Sequence, residues 1–312
     1  MRLYFATDIH GAEGCWRRFL NCSRFYGADV LVLGGDLTGK AVIPIINDGS
    51  GRYRSHLQDQ RHDFEGAEDL ARYRKLVRAL GYYPAVMGED EFLDASRDPA
   101  KVDELFTREM RRVVEEWVAM ADERLPPNVP CVVCPGNDDR EDIDQIIASS
   151  KRIQLGEGRA IDLPGNYQLV SSGWSNPTPW STPREEDEPE LRKRIDAAIA
   201  QADVPRDHLI LGLHAPPIET ALDVAPMIDW DTLVVQAQAN VHAGSTAVRE
   251  VIEEVQPLLS LHGHIHESRA AVRIGRTLAM NPGSAYDQGT LMGCVVELDG
   301  QKKVKRYKFT SG

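Results

Sequence analysis

The segment VLVLGGD, residues 30–36, sets a pattern that the rest of the chain repeats: a short apolar run, broken by glycine and closed by a polar side chain. Comparable runs are LYFAT at 3–7, CVVC at 131–134, YQLVSS at 167–172, LILGL at 209–213 and LLSL at 258–261. Each is too short for a helix and has turn residues or a polar cluster after it, so each reads as a buried strand. Segments of helical period lie between many of them. Cys15, Trp16, Phe19, Leu20 and Cys22 fall near one stripe of residues 12–26, and 101–123 and 245–256 are comparably periodic. Strand–helix alternation predicts an α/β fold with buried sheets. Toward the C-terminus AAVRIG, TLAMN, GCVVELDG and KVKRYKF follow one another without helices, which predicts antiparallel pairing.

Residues 38–128 interrupt the alternation. The interval opens with a candidate hairpin, AVIPII and then a turn at NDGSG, and continues into charged helical stretches around 66–80 and 101–123. Because alternation resumes afterwards, the interval reads as an insertion on one main fold. The expectation is a single domain over 1–312, a length sufficient for a large core. EEDEPE at 185–190 reads as a solvated loop and helix start.

With 36 basic and 48 acidic side chains the net charge is −12, which argues against a broad basic face for DNA or RNA. Five cysteines, an odd number in a chain too long to need disulfide staples, point to a reducing compartment. The opening MRLYFATDIH is strand-like rather than a secretory signal, and no apolar run approaches the roughly 20 residues of a membrane helix. The expectation is a cytoplasmic, soluble protein without a membrane partner; homo-oligomerisation is left open.

Ligands of an α/β sheet gather beyond the carboxyl ends of its strands. Here those ends carry Asp8 and His10, then Asp36, then Asn137 and Asp138, then His214, and finally His262, His264 and His266. Any one of these is explained by turn chemistry; the series is not. Residues i and i+2 of an extended segment project to one side, so Asp8 with His10, and His264 with His266, can each converge on one centre. Mixed imidazole and carboxylate donors suit manganese, iron, zinc or nickel better than calcium.

The order DxH, GD, GN, H, GHxH resembles the calcineurin-like metallophosphoesterase superfamily over residues 8 to 266. The resemblance implies two mixed β-sheets packed face to face and flanked by helices, a four-layer fold with a two-metal site. One ion would take Asp8, His10, Asp36 and His266, the other Asp36, Asn137, His214 and His264, with Asp36 bridging and manganese or iron favoured. HAGSTAVREVIEEVQPLLSLHGHIHES and NPGS at 281–284 resemble predicted phosphoesterases related to class III cyclic-nucleotide phosphodiesterases. Two cations about 3.5–4 Å apart can share a hydroxide at neutral pH and bind two phosphoryl oxygens of a small phosphoester. Asp36, Asn137, Asp138 and His214 are then the catalytic candidates.

Asp138 departs from the pattern. Many members of that superfamily have His after the Asn, credited with protonating the leaving group. An Asp titrating near its ordinary value of about 3.9 would be ionised and a poor acid. Esters with good leaving groups, or diesters, would then be the better substrates, with His242 or a metal-bound water as substitutes for the acid. His262 reads as a packed strand-end residue. His242 faces either the site or merely a helix start at Ser245, whose helix N-terminus could hold phosphate. Arg52, Tyr53, Arg54 and His56 fit a solvated hairpin better than substrate contacts, and WSNPTPW (174–180) reads as a substrate-side loop or an ordinary connection. Cys131 and Cys134 point to opposite faces of a strand and read as core. The competing readings are a non-catalytic scaffold, disfavoured because all seven ligand positions are filled; a nuclease, disfavoured by charge; and a protein phosphatase, disfavoured because LTGK after Asp36 lacks the Arg that family carries nearby.

Overall fold

The computed structural model describes residues 1–230, 232–300 and 303–312. The chain runs β1 (Arg2–Ala6), α1 (Glu13–Tyr26), β2 (Val30–Gly34), β3 (Val42–Asn47), β4 (Arg52–Leu57), β5 (Gln60–Glu65), α2 (Gly66–Ala79), β6 (Tyr83–Gly88), α3 (Glu89–Ser96) and α4 (Pro99–Arg124). It continues through β7 (Cys131–Cys134), α5 (Asp144–Ala148), β8 (Ile153–Leu155), β9 (Arg159–Leu163), β10 (Tyr167–Ser172), α6 (Glu188–Ile199) and β11 (Leu209–Leu213). The last part is β12 (Val224–Ile228), β13 (Val235–His242), α7 (Thr246–Val255), β14 (Leu259–Leu261), β15 (Ala270–Ile274), β16 (Thr277–Asn281), β17 (Met292–Leu298) and β18 (Val304–Ser311).

Two six-stranded sheets form the centre, in the orders β18-β17-β1-β2-β7-β8 and β15-β16-β14-β11-β10-β9. Period-2 alternation decides which side chains meet. Leu3 and Phe5 of β1, with Val32 and Val132, face Leu169, Ile210, Leu261 and Met280 of the other sheet across a shared core. Tyr4, Leu31, Leu33 and Val133 point the other way, against Trp16 and Phe19 of α1 and Val113 and Trp117 of α4. The indoles of Trp16 and Trp117 stack with centroids 5.2 Å apart. On the far side Val170, Leu211 and Leu213 pack on Leu191 and Ile195 of α6 and Val248, Val251 and Ile252 of α7. The layers are therefore helix, sheet, sheet, helix, as the resemblance implies.

β2 and β7 pair directly and in parallel, with Leu31 opposite Cys131, although the 38–128 interval separates them. β3 to β6 make their own sheet, in the order β5-β4-β3-β6, over a small core of Ile45, Leu57, Tyr73 and Val77. α4 belongs to the same interval, yet it packs on the main sheet. The C-terminal strands pair antiparallel, but divided: β15 with β16 in one sheet, β17 with β1 and β18 in the other. β12 and β13 form a separate ribbon that the sequence reading did not anticipate.

Candidate metal centre

The turns after β1, β2, β7, β11 and β14 meet at one rim, and their polar side chains are held there by backbone that is costly to adopt. Asp8, His10, Asp36 and His264 have φ of 52, 36, 48 and 69°, left-handed values rare for non-glycine residues. Two glycines are dictated by crowding. A Cβ on Gly35 would lie 2.0 Å from His214 Nδ1, and one on Gly136 would lie 2.1 Å from Asp36 Oδ1.

Asp36 occupies the middle. Its Oδ2 is 3.5 Å from His10 Nε2, and its Oδ1 is 3.4 Å from His214 Nε2. On the first side His10 Nε2 lies 3.0 Å from His266 Nε2, which is 3.5 Å from Asp8 Oδ1. On the second, Asn137 Oδ1 is 2.9 Å from His214 Nε2 and 2.8 Å from His264 Nδ1. Asp138 Oδ2 stands 3.6 Å from His10 Nδ1 and 2.9 Å from Lys40 Nζ. The structure thus brings Asp8, His10, Asp36, Asn137, Asp138, His214, His264 and His266 into one cluster.

Titration behaviour follows from these neighbours. Burial lowers His10 to about 3 and His264 to about 4, so both rings are neutral. His214 resists the same burial and rises to about 10, because Asp36 faces it. Asp8 falls to about 2 against its own burial, through His266 and His214. Asp138 does not behave as an ordinary carboxyl: burial first, then repulsion from Asp36, raise it to about 6 against the pull of Lys40.

Some of the remaining expectations hold and others do not. His262 is buried and packed, as expected, with Nδ1 2.9 and 3.0 Å from the carbonyls of Leu213 and Ala215 and Nε2 2.8 Å from Ser260 Oγ, so it fixes the turn that carries His214. His242 pairs with Asp223 at 2.9 Å. Ser245 caps α7 as expected, but the helix N-terminus is already taken. The Glu188 carboxylate accepts from Ser245 Oγ, Thr246 N and Ala247 N, which removes the phosphate site foreseen there. Arg52, Tyr53, Arg54 and His56 lie on β4, where Arg54 pairs with Glu89 and Tyr53 stacks on Phe64. Just past the 174–180 loop, Thr182 accepts from Asn137 Nδ2 at 2.9 Å. All five cysteines are free and buried.

Four contributors escaped sequence reasoning. The Asp139 carboxylate accepts from Leu37 N, Thr38 N, Thr38 Oγ1 and Gly136 N at 2.9, 2.8, 2.6 and 2.8 Å, tying the Asp36 turn to the Asn137 turn. Asn281 donates to the Gly263 and Ile265 carbonyls at 3.1 and 3.0 Å, shaping the turn that bears His264. Tyr286 packs on His10 with ring centroids 4.6 Å apart, and Lys40 holds Asp138. Each joins segments far apart in sequence, although the doubled Asp of GNDD was a visible hint.

The donor set fits a cation centre. Asp8–His10–His266 and Asp8–Asp36–His214 each place three ligand atoms within 4.8 Å of one another. His10 Nδ1 is buried without a hydrogen-bond partner, and neutral imidazoles are the form that ligates metals. No helix among the described residues is long and apolar enough to cross a membrane.

The family profile described as calcineurin-like phosphoesterase matches residues 1–268. An uncharacterized protein of Methanocaldococcus jannaschii is 31% identical over 173 residues, covering 54% of this chain and 69% of that protein. One solved structure superposes with a TM-score of 0.60 at 15% identity, covering 99% of this chain and 98% of its own. The protein TT1561 of Thermus thermophilus gives 0.55 at 14% identity, covering 100% and 97%. At such identities the likeness speaks for the fold.

Proposed function

This chain belongs to the calcineurin-like phosphoesterase family, and we propose that it hydrolyses phosphodiesters, or monoesters with good leaving groups, at a centre of two divalent transition-metal ions. The observation that carries the reading is Asp36, whose two oxygens face His10 at 3.5 Å and His214 at 3.4 Å, so one side chain serves two donor sets. Asp8, His10, Asp36 and His266 would hold one ion; Asp36, Asn137, His214 and His264 would hold the other. Nitrogen and oxygen donors in this mixture suit manganese, iron, zinc or nickel, and the family resemblance favours manganese or iron among them. Bound there, such ions supply Lewis acidity toward water and neutralise phosphoryl charge.

The chain's own residues do the positioning. Asn137 Oδ1 presents a neutral oxygen between His214 and His264, and Asp139 fixes the spacing between the Asp36 and Asn137 turns. Asp138 replaces an imidazole acid with a carboxyl whose partner is the Lys40 ammonium at 2.9 Å. Because burial and Asp36 raise it to about 6, the preference for leaving groups that need little protonation rests on that ion pair, which favours the ionised form, and not on an ordinary carboxyl value. We read 1–312 as one such domain carrying 38–128 as an insertion.

Metal analysis of protein purified without chelators, combined with aryl and alkyl esters assayed in manganese, tests the reading. The expected result is close to two ions per chain, aryl diesters turned over well above alkyl monoesters, and faster alkyl monoester hydrolysis by Asp138→His. Bound metal without turnover of any phosphoester would leave a scaffold. Alkyl monoesters cleaved as fast as aryl diesters by wild type would overturn the leaving-group preference.

A further inference from the structure

Lys40 is the one lysine or arginine among the described residues that pairs with a carboxylate of the cluster. We propose that Lys40 is a substrate-anchoring residue, its ammonium held by Asp138 so that its remaining N–H donors receive an anionic oxygen of the phosphoester. The inference rests on reading the centre as a phosphoester hydrolase.

Three observations lead there. First, the stem of Lys40 is fixed more firmly than a surface lysine requires. Leu37 N and Thr38 N donate to Asp139, and Gly39 N donates to Tyr83 Oη at 2.7 Å, so the three residues before Lys40 are each anchored through the backbone. Gly39 also lies so close to Gly81 that a Cβ would stand 2.1 Å from the Gly81 carbonyl oxygen, which excludes sideways drift of the turn. Second, the ammonium is placed between protein and solvent. The Lys40 side chain is 49% exposed while Asp138 is 19% exposed, so the cation borders the open side of an otherwise buried cluster. Third, its bonding is incomplete. An ammonium carries three donors, and among the described residues Asp138 is its single carboxylate partner.

A purely structural role explains these observations less well. An ion pair with one half-exposed member contributes little to stability, about 0–1 kcal/mol. The Leu37 and Thr38 bonds already serve the Asp36 turn, but the Gly39 N bond to Tyr83 Oη and the close approach of Gly39 to Gly81 fix the residue next to Lys40 itself, and that is what preorganised binding of an anion needs. The remaining structural reading is that Lys40 only neutralises Asp138, which would otherwise repel a phosphate. That reading makes a separate prediction: with Asp138 uncharged, Lys40 should become dispensable.

The test uses metal-loaded protein, a phosphodiester substrate and inorganic phosphate as the probe, followed by calorimetry and competitive inhibition. Lys40→Ala should raise KM and weaken phosphate binding by about ten-fold or more, the worth of a charged hydrogen bond. Its metal content and thermal midpoint should stay at wild-type values, and Lys40→Arg should recover part of the loss. The double variant Lys40→Ala/Asp138→Asn should remain as weak as Lys40→Ala. Unchanged KM and phosphate affinity in Lys40→Ala, or full recovery in the double variant, overturns the anchoring role while wild-type turnover leaves the hydrolase reading standing. A wild type that carries metal yet neither cleaves the diester nor binds phosphate overturns the hydrolase reading, and the anchoring role with it.

Discussion

The rim of the two large sheets and the small sheet of the 38–128 interval use their polar residues in opposite ways. At the rim Asp8, His10, Asp36 and His214 are 1, 0, 2 and 1% exposed. In the small sheet the charges stand in solvent as pairs: Arg54 with Glu89, Arg61 with Asp63 and Arg52 with Glu65. Both regions contain left-handed residues, but for different reasons. Gln58 and Asp59, at φ 51 and 60°, are the two turn residues of the β4–β5 hairpin, where strand twist demands that conformation. At the rim the left-handed residues Asp8, His10 and Asp36 are buried, His264 is half-buried, and all four are candidate ligands. Burying a polar group and straining its backbone each oppose folding by a few kcal/mol, so a chain that accumulates both at one rim marks where its chemistry lies.

The sharpest way to break this contrast is one substitution in each region. Asp36→Asn should lower bound metal and cut kcat/KM by about 1,000-fold, on the scale of removing a transition-state electrostatic partner. Arg54→Ala removes an exposed pair worth about 0–1 kcal/mol and should leave kcat/KM at the wild-type value. Parallel metal analysis and phosphodiester kinetics would decide it; an Asp36→Asn enzyme with wild-type turnover ends the comparison.

A smaller effect separates holding a site from taking part in it. Asp139 is as buried as the ligands, but all four of its acceptor contacts go to Leu37, Thr38 and Gly136. Asp139→Asn keeps one acceptor oxygen and turns an amide toward donors, which should cost about 2–4 kcal/mol in urea unfolding. Because it loosens two ligand turns at once, kcat/KM should fall by about 10–100-fold, the range seen when supports of metal ligands are removed. Loss of stability with intact kinetics would show that the turns hold themselves.

The neighbouring Asp138 and Asp139 also show where the sequence stops being legible. Strand runs closed by Gly and a ligand-type side chain announce the two large sheets, the rim and the seven candidate ligands, because strand period and turn chemistry are local rules. Which of two consecutive aspartates faces the cluster is decided by Thr38, about a hundred positions earlier, and no local rule reaches that far. The same holds for α7. Its Ser245 cap is readable, but Glu188 covering that terminus arrives from another helix. α4 looked like part of an excursion because of its place in the chain, yet Trp117 against Trp16 puts it on the main core. Antiparallel pairing at the C-terminus was legible, while the split between two sheets follows from β17 pairing with β1 at the opposite end of the chain.

The smallest effect concerns protons. Burial holds His262 and His264 at about 4 and His10 at about 3, below the ordinary histidine value of about 6.5. Below pH 6.5 the unfolded chain takes up protons that these rings refuse, so the unfolded state binds more and stability falls as pH drops toward 4. His214, raised to about 10, contributes fully below 6.5 and loses its share as pH climbs through 10, so it adds nothing to the acid slope. Among the three lowered rings His262 is the one that is not a candidate ligand, bonded instead to the carbonyls of Leu213 and Ala215 and to Ser260. Asp138, raised to about 6, takes up its proton in the fold over this window and offsets about one ring's share. Urea midpoints of chelator-treated protein should still decline from pH 6.5 to 5, because three rings outweigh it, and His262→Asn should decline less steeply. The difference is at most one proton's share, about 1.4 kcal/mol per pH unit. Equal slopes in the two proteins would mean that His262 accepts a proton inside the fold, and that the rim tolerates charge at a position where its carbonyl contacts say it should not.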